Sequence, residues 1–374
     1  MHFSERAVLV GVELPVENIP LDQSLPELGR LAGTAGALVV GTMTQKRDRP
    51  DPKYFIGSGK VEELRGQTVA QRADLVIFDH ELKPSQNRNI EQQLGIKVID
   101  RTELILDIFA QHAKSREGKL QVELAQSSFL LTHLTGHGAQ MSRLGGGIGT
   151  RGPGETKLEY DRRKIRARIS ALKEQIEQVR KERALKRERR RGTMIPSASI
   201  IGYTNAGKST LLNSLTSAGV LVEDKLFATL DPTTRRLYLP SGRTILVTDT
   251  VGFIQKLPHQ LVTAFRATLE EVTESDLLLH VVDISQPYYE KQIEAVYNVL
   301  EELGGITKPI LTILNKTDQA EKKAIAAALK KYQPACPVSA LKKEGLEKLL
   351  ATIDGQLPPP PPGAPSSADQ KYPV

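Results

Sequence analysis

The sequence predicts an α/β protein: two α/β domains, the first built on a parallel sheet, joined by a long antiparallel helical hairpin. Three observations predict it. Short β-branched runs alternate with helix-like stretches from residue 7 to about 100 and again from 197 to about 339, the pattern of strands linked by crossover helices. Between these regions Ile165, Ile169, Leu172, Ile176 and Val179 follow one another at spacings of 4, 3, 4 and 3, a coiled-coil seam most simply closed by folding back on the helical stretch before it. A glycine run separates the two helical stretches and cannot be regular structure.

Residues 1–100 form the N-terminal α/β domain, with strands predicted at AVLVGVEL (7–14), ALVVGTM (37–43), DLVIFD (74–79) and IKVID (96–100) and helices at ELGRLAG, KVEELRGQTVAQ and PSQNRNIEQQLG between them. Residues 101–192 form the hairpin. Thr102 is its expected helix cap, Leu104, Ile108, Leu120, Leu124 and Leu131 mark a helical region with an interruption expected at Gly118, and a Gly-rich loop spans 143–156. A basic helix follows over 158–191. Beyond Val179 the seam ends in RKERALKRERRRG, polar on every face, so residues 180–192 read as a solvated or partner-bound extension. The second α/β domain covers 197–357, with strands at 197–203, 235–240, 244–249, 277–284, 309–315 and 335–339 and helices clearest at 287–303 and 320–332. Residues 358–374, PPPPPGAPSSADQKYPV, have too little apolar content to pack and read as a disordered tail.

Composition narrows the functional classes. A chain of 374 residues with one cysteine, Cys336, holds no internal disulfide and no cysteine-rich zinc or iron-sulfur module, which points to a reducing compartment. No stretch approaches the roughly 18 apolar residues of a membrane span, and Glu5, Arg6 and Glu13 interrupt the region a signal peptide would need. A soluble, cytoplasmic protein is expected, and a monomer. Between Asp161 and Arg191 fourteen Lys/Arg face five Asp/Glu, a local +9 that leaves the other 343 residues at −2. Solvated helix faces mix signs more evenly. A nearly three-to-one positive helix reads better as a contact to RNA backbone, where each neutralised phosphate releases counterions.

The chemistry lies in the second domain. Gly202-Tyr203-Thr204-Asn205-Ala206-Gly207-Lys208-Ser209 fits the phosphate-binding pattern of two glycines, lysine and serine, after an apolar strand and before a helix. In such a loop backbone N–H groups point at the β-phosphate, Lys208 offsets β/γ charge and the Ser209 hydroxyl ligates Mg²⁺. Asp249-Thr250-Val251-Gly252 ends a strand, where a carboxylate can hold Mg²⁺ through water and the Gly252 N–H can meet the γ-phosphate. Asn315-Lys316-Thr317-Asp318 ends a later strand; Asp318 can accept from guanine N1–H and its 2-amino group together, donors that adenine lacks. Ser339-Ala340-Leu341 ends the sixth strand, where a backbone N–H can donate to the 6-oxo group. The nucleotide is GTP, and the domain a P-loop GTPase domain. Within Asp224–Thr234 a threonine must complete the Mg²⁺ shell, and Thr229, Thr233 and Thr234 are candidates on chemistry alone.

Directly after Gly252, many GTPases carry a glutamine that orients the attacking water. Phe253 can neither donate nor accept, so slow intrinsic hydrolysis is expected. Asn205 is read two ways with equal weight: it holds a monovalent cation such as K⁺ beside the β/γ bridge, or it only braces the loop. Gly57-Ser-Gly-Lys60 resembles half a phosphate loop but reads better as a glycine turn, His133 and His137 lack a third metal ligand, and Cys336 reads as packing.

These motifs resemble the HflX GTPases of the Obg-HflX branch. The resemblance rests on DRTELILDIFAQHAKSREGKLQVELAQ (100–126), GGGIGTRGPGETKLEYDRR (145–163), GYTNAGKST, FATLDPTTR (227–235) and DTVGFI (249–254), and covers roughly residues 5 to 355. It selects Thr229 as the second Mg²⁺ ligand with Ser209, and implies that Phe227, Ala228, Thr229, Leu230 and Asp231 contact GTP together with 202–209, 249–252, 315–318 and 339–341. It also implies Lys208, Thr229 and Gly252 as the catalytic positions. It further implies a ribosome-associated GTPase whose N-terminal domain and hairpin contact rRNA of the large subunit, that docks in the GTP state, and that splits or rescues stalled ribosomes under stress or assists large-subunit maturation. Many members carry a small domain after the last guanine-contact element, where only one helix, about 343–354, and the tail are read here. Two other readings stand beside it. One is a GTPase acting in tRNA modification; the other is an RNA-binding ATPase using the N-terminal domain.

Overall fold

The computed structural model describes residues 4–15, 19–134, 153–191, 195–216, 226–227, 230–256, 272–302 and 307–357. The glycine run as far as 152, His137, Ala228, Thr229 and the tail from 358 lie outside the described residues. The chain divides into two units, Met1–Glu177 and Gln178–Val374.

The first unit carries a four-stranded sheet in the order β2-β1-β3-β4, built from β1 (Arg6–Glu13), β2 (Leu38–Lys46), β3 (Leu75–Phe78) and β4 (Lys97–Asp100), with every pairing parallel. Six successive residues of β1 and all four of β3 are buried, as a strand covered on both faces requires. The crossovers are α1 (Leu21–Thr34), α2 (Ser58–Ala70) and α3 (Pro84–Leu94). Val8, Val10, Val12, Ile56, Leu64, Val76, Phe78 and Ile90 form the core beneath α2 and α3.

After β4 the chain turns directly into α4 (Arg101–His112). Its cap is Asp100, not Thr102: the Asp100 carboxylate accepts from the Glu103 N–H at 2.9 Å and from the Leu82 N–H at 3.1 Å. Thr102 lies inside the first turn and is buried. The expected break at Gly118 falls three residues earlier in the chain. Ser115 accepts the Gly118 N–H at 2.9 Å and opens α5 (Arg116–Leu134), within which Gly118 is buried. A hydroxyl that can cap a new helix decides where the old one stops, and the glycine is tolerated.

The long helix α6 runs Pro153–Arg191, so it begins at a proline, before the 158 read from the sequence; a first-turn proline has no intrahelical N–H to lose. Leu172 of its seam is fully buried and Ile165, Ile169, Ile176 and Val179 are half-buried, while the residues between them are mostly exposed. Arg168 donates to Glu123 at 2.7 Å, which sets α6 beside α5.

The second unit holds a six-stranded sheet in the order β10-β9-β8-β5-β7-β6: β5 (Ser197–Gly202), β6 (Thr233–Tyr238), β7 (Thr244–Asp249), β8 (Leu277–Asp283), β9 (Ile310–Asn315) and β10 (Ala335–Pro337). All pairings are parallel except the edge pair β6–β7. Every residue of β8 is buried, and its apolar side chains alternate between the two faces. Leu277, Leu279 and Val281 pack with Leu211, Leu212, Leu349 and Ile353 of α7 (Lys208–Thr216) and α10 (Leu346–Gln356). Leu278 and Val282 face the other side, toward α8 (Tyr289–Glu302) and α9 (Lys322–Lys331).

Candidate nucleotide site

The segments singled out in the sequence meet at the carboxyl ends of β5, β7, β9 and β10, where parallel α/β sheets place their ligands. Gly202 closes β5, and Lys208 opens α7. At Gly207 the backbone takes φ +92°, and a Cβ there would collide with the Asn315 amide. That close approach is used: Asn315 Nδ2 donates to the Ala206 carbonyl at 2.8 Å, and Asn315 Oδ1 accepts the Ala340 N–H at 3.0 Å. One buried asparagine thus ties the phosphate loop to the loop after β10. Ser214 of α7 adds a bond to the Ala340 carbonyl at 2.7 Å.

Lys208 lies back along the loop, donating to the Tyr203 carbonyl at 2.9 Å and the Gly202 carbonyl at 3.2 Å. Burial pushes its ammonium down to about 8, against which the Asp249 carboxylate acts weakly. Ser209 Oγ donates to Asp249 Oδ2 at 2.6 Å. A hydroxyl and a carboxylate converging there form a hard oxygen pair of the kind Mg²⁺ accepts while keeping waters and phosphate oxygens in its other positions. Thr250, fully buried, fixes the turn after β7 by donating to the Ile200 carbonyl at 2.7 Å, and Val251 is buried beside it.

From Gly252 onward the chain folds against the phosphate loop. The Phe253 N–H donates to the Gly202 carbonyl at 3.1 Å and the Thr204 N–H to the Phe253 carbonyl at 2.7 Å. The Gln255 N–H donates to Tyr203 Oη at 2.7 Å. Gly252 is pressed so closely on the loop that a Cβ would stand 2.8 Å from Thr204 Cα. The Phe253 ring is buried with Ile201, Leu278, Val296 and Leu300. Phe253 is more than a missing glutamine: it is also the anchor that fixes this segment. The apolar run Val251-Gly-Phe-Ile254 was the available signal.

At the base end, Asp318 Oδ1 accepts from Ser339 Oγ at 2.7 Å, and that hydroxyl is the main cause holding the Asp318 carboxyl below its usual range. Its carboxylate is therefore ionised, with one oxygen engaged by the Ser339 hydroxyl. Lys316 takes a left-handed φ of +60° and pairs with Asp283 Oδ2 at 2.8 Å, and the Thr317 N–H donates to the Val338 carbonyl at 3.3 Å. Ala340 is buried, whereas Leu341 projects into solvent, 74% exposed.

Asn205 is exposed at φ +61°, with no side-chain hydrogen bond among the described residues. In the segment after α7, Phe227 and Leu230 are buried and Asp231 half-buried. Of the three candidate threonines, Thr233 and Thr234 belong to β6, where the Thr234 hydroxyl meets that of Thr248 at 2.9 Å. The weak sequence signals stay outside this site. Gly57 precedes α2 as its cap residue, His133 stacks on Phe129, and Cys336 is buried in β10 with its thiol 3.2 Å from Thr352 Oγ1. Among the described residues no helix is long and apolar enough to cross a membrane.

Residues 22–110 match the family described as GTP-binding GTPase N-terminal, 112–190 the GTP-binding GTPase middle region, and 197–316 the 50S ribosome-binding GTPase. A GTPase HflX of Caldanaerobacter subterraneus subsp. tengcongensis is 53% identical over 353 residues, spanning 94% of this chain and 81% of that protein. The GTPase HflX of Escherichia coli is 48% identical over 318 residues, spanning 85% and 74%. The crystal structure of SsGBP in complex with GDP aligns with 94% of this chain and 98% of its own at 27% identity, with a TM-score of 0.53.

Proposed function

The chain belongs to the HflX family of GTPases, and from that premise we propose that it binds the large ribosomal subunit in its GTP state and there dissociates or rescues stalled ribosomes or assists subunit maturation. The observation that carries this reading is the joining of a guanine-nucleotide site to a helix of 39 residues whose last part is dominated by Lys and Arg. Such a helix attracts RNA phosphate without reading bases. A cytoplasmic place of action follows from that partner.

Within the site, Lys208 holds positive charge against the β- and γ-phosphates, the Gly252 N–H meets the γ-phosphate, and Asp318 with the Leu341 backbone N–H reads guanine, the Ala340 backbone being held by Asn315 and Ser214. Ser209 and Thr229 would hold Mg²⁺, which when bound neutralises charge developing on the phosphates. Gly202 through Ala206, Phe227 through Asp231 and Asn315 through Thr317 complete the nucleotide contacts. With Phe253 turned into the core, intrinsic hydrolysis is slow and the ribosome accelerates it. The exposed Asn205, not used to brace the loop, supports a monovalent cation site; equal turnover in KCl and NaCl would end that part of the reading.

GTP orders both switch segments and so favours the ribosome-bound state; hydrolysis releases them. Co-sedimentation with large subunits tests this. Retention with a non-hydrolysable GTP analogue at least about tenfold above that with GDP is expected, which requires a state preference of about 1.4 kcal/mol. Equal retention in the two nucleotides refutes it.

A further inference from the structure

Thr204 stands where the phosphate loop and the segment after β7 meet. It is 6% exposed, and its hydroxyl oxygen is buried with no hydrogen-bond partner. Its backbone is already committed, because the N–H donates to the Phe253 carbonyl at 2.7 Å. The side chain is therefore held in place by a bond it does not itself make. A Cβ built on Gly252 would lie 3.0 Å from Thr204 Cβ and 2.9 Å from Lys208 Nζ, so Thr204, Gly252 and Lys208 converge on one point. A valine would fill the same space without burying an unmatched polar group, and buried hydroxyls normally find a partner. A threonine retained there needs a use that involves something besides the protein.

The chemistry of the site supplies one. Gly252 is followed by Phe253, whose ring is turned into the core, so the position that would orient a water carries no polar group. A threonine hydroxyl both accepts and donates. We propose that, with GTP bound, the Thr204 hydroxyl accepts a hydrogen bond from the water that attacks the γ-phosphorus and so orients it for in-line displacement. The water oxygen forms the new bond to phosphorus, the bond from phosphorus to the β,γ-bridging oxygen breaks, GDP leaves with that electron pair, and the water proton ends on the released phosphate. Thr204 is unchanged at the end of the cycle. The proposal rests on the GTPase reading of this site and adds the residue that positions the nucleophile.

The test is single-turnover hydrolysis of pre-bound GTP by the full chain, together with GTP and GDP affinities and the thermal midpoint of the nucleotide-free protein. Thr204→Val is expected to slow hydrolysis by about tenfold or more, within the range that one positioned group contributes. Both affinities should stay within about threefold, since the transition state and not the ground state loses a contact. Its midpoint should be no lower than that of the native chain, because no protein hydrogen bond is lost. Thr204→Ser, which keeps the hydroxyl, should hydrolyse within about threefold of the native rate. The proposal is overturned by a Thr204→Val rate equal to native, by a Thr204→Ser rate as low as that of the valine variant, or by a fall in affinity and midpoint that matches the fall in rate. Failure of the native chain to bind GTP would sink the GTPase reading itself, a separate result.

Discussion

In the first unit the carboxyl ends of β3 and β4 are filled by the protein's own ions. Arg101, 2% exposed, donates to Asp79 at 2.7 Å and to Glu27, while Ser24 donates to the other Asp79 oxygen at 2.6 Å. In the second unit the corresponding ends of β5 and β7 carry a lysine resting on backbone carbonyls, a serine on an aspartate and a hydroxyl with no partner. The central strands of both sheets are buried on both faces, and all pairings are parallel apart from the edge pair β6–β7. The difference is in what occupies the strand ends. A guanidinium fixed between two carboxylates leaves little for a ligand to improve, whereas a displaced ammonium and a loosely used hydroxyl have more to gain from a phosphate than they have now. The two sheet ends thus differ in how far their polar groups have already satisfied one another.

The sharpest way to break this comparison is to remove the plug. Arg101→Met leaves Asp79 and Glu27 buried without their cation, and the first unit should lose about 3–5 kcal/mol of stability, the cost typical of breaking a buried ion pair from one side. Denaturant unfolding reads the loss, and GTP titration of the variant should still give native affinity, because Arg101 and its partners Asp79 and Glu27 belong to the first unit and the nucleotide site to the second. The reverse substitution, Lys208→Ala, should leave unfolding nearly unchanged and lower GTP affinity about a hundredfold, or about 2.7 kcal/mol; an unchanged affinity would mean that the lysine is not the phosphate ligand.

A smaller effect separates the two sites by pH. Lys208 is held at about 8 in the folded protein against 10.5 when unfolded, so between those values the unfolded chain binds a proton that the folded chain does not, and nucleotide-free stability rises with pH. On the proposed role of Lys208, GTP needs the charged amine. Its affinity should therefore fall above pH 8 with uptake of a proton, by at most about tenfold per pH unit, and calorimetry in buffers of different ionisation enthalpy would detect it. Lys208→Arg should abolish the uptake. Smallest is the cap of α5: Ser115→Ala should cost about 1 kcal/mol in the first unit and nothing in nucleotide affinity.

The two units were not equally legible in the sequence. The phosphate loop, Asp249–Gly252, Asn315–Asp318 and Ser339–Leu341 are short segments whose chemistry depends on backbone shape and on neighbours one to four residues away, so each could be read locally. The cross-bracing of Asn315 to Ala206 and Ala340 could not, since it spans 109 and 25 residues. The Arg101 cluster was invisible for the same reason: its partners lie 22 and 74 residues away, and no local pattern marks them. Strand positions read well because buried parallel strands are continuous apolar runs. Helix ends read less well, because Thr102 and Asp100 are both competent caps and only the exit direction of β4 selects between them. Phe253 was read for what it lacks, and its packing against α8 required the fold.

Phe253 also limits how far a nucleotide signal can reach. Its main-chain bonds to Gly202 and Thr204 and its ring among Ile201, Leu278, Val296 and Leu300 rivet the first residue after Gly252 to the central strands. Ile254 and Gln255, both buried, extend that rivet, the latter through its N–H to Tyr203 Oη, so the chain from Gly252 to Gln255 belongs to the floor of the pocket. Amide exchange at Phe253 should accordingly be slow and indifferent to which nucleotide is bound.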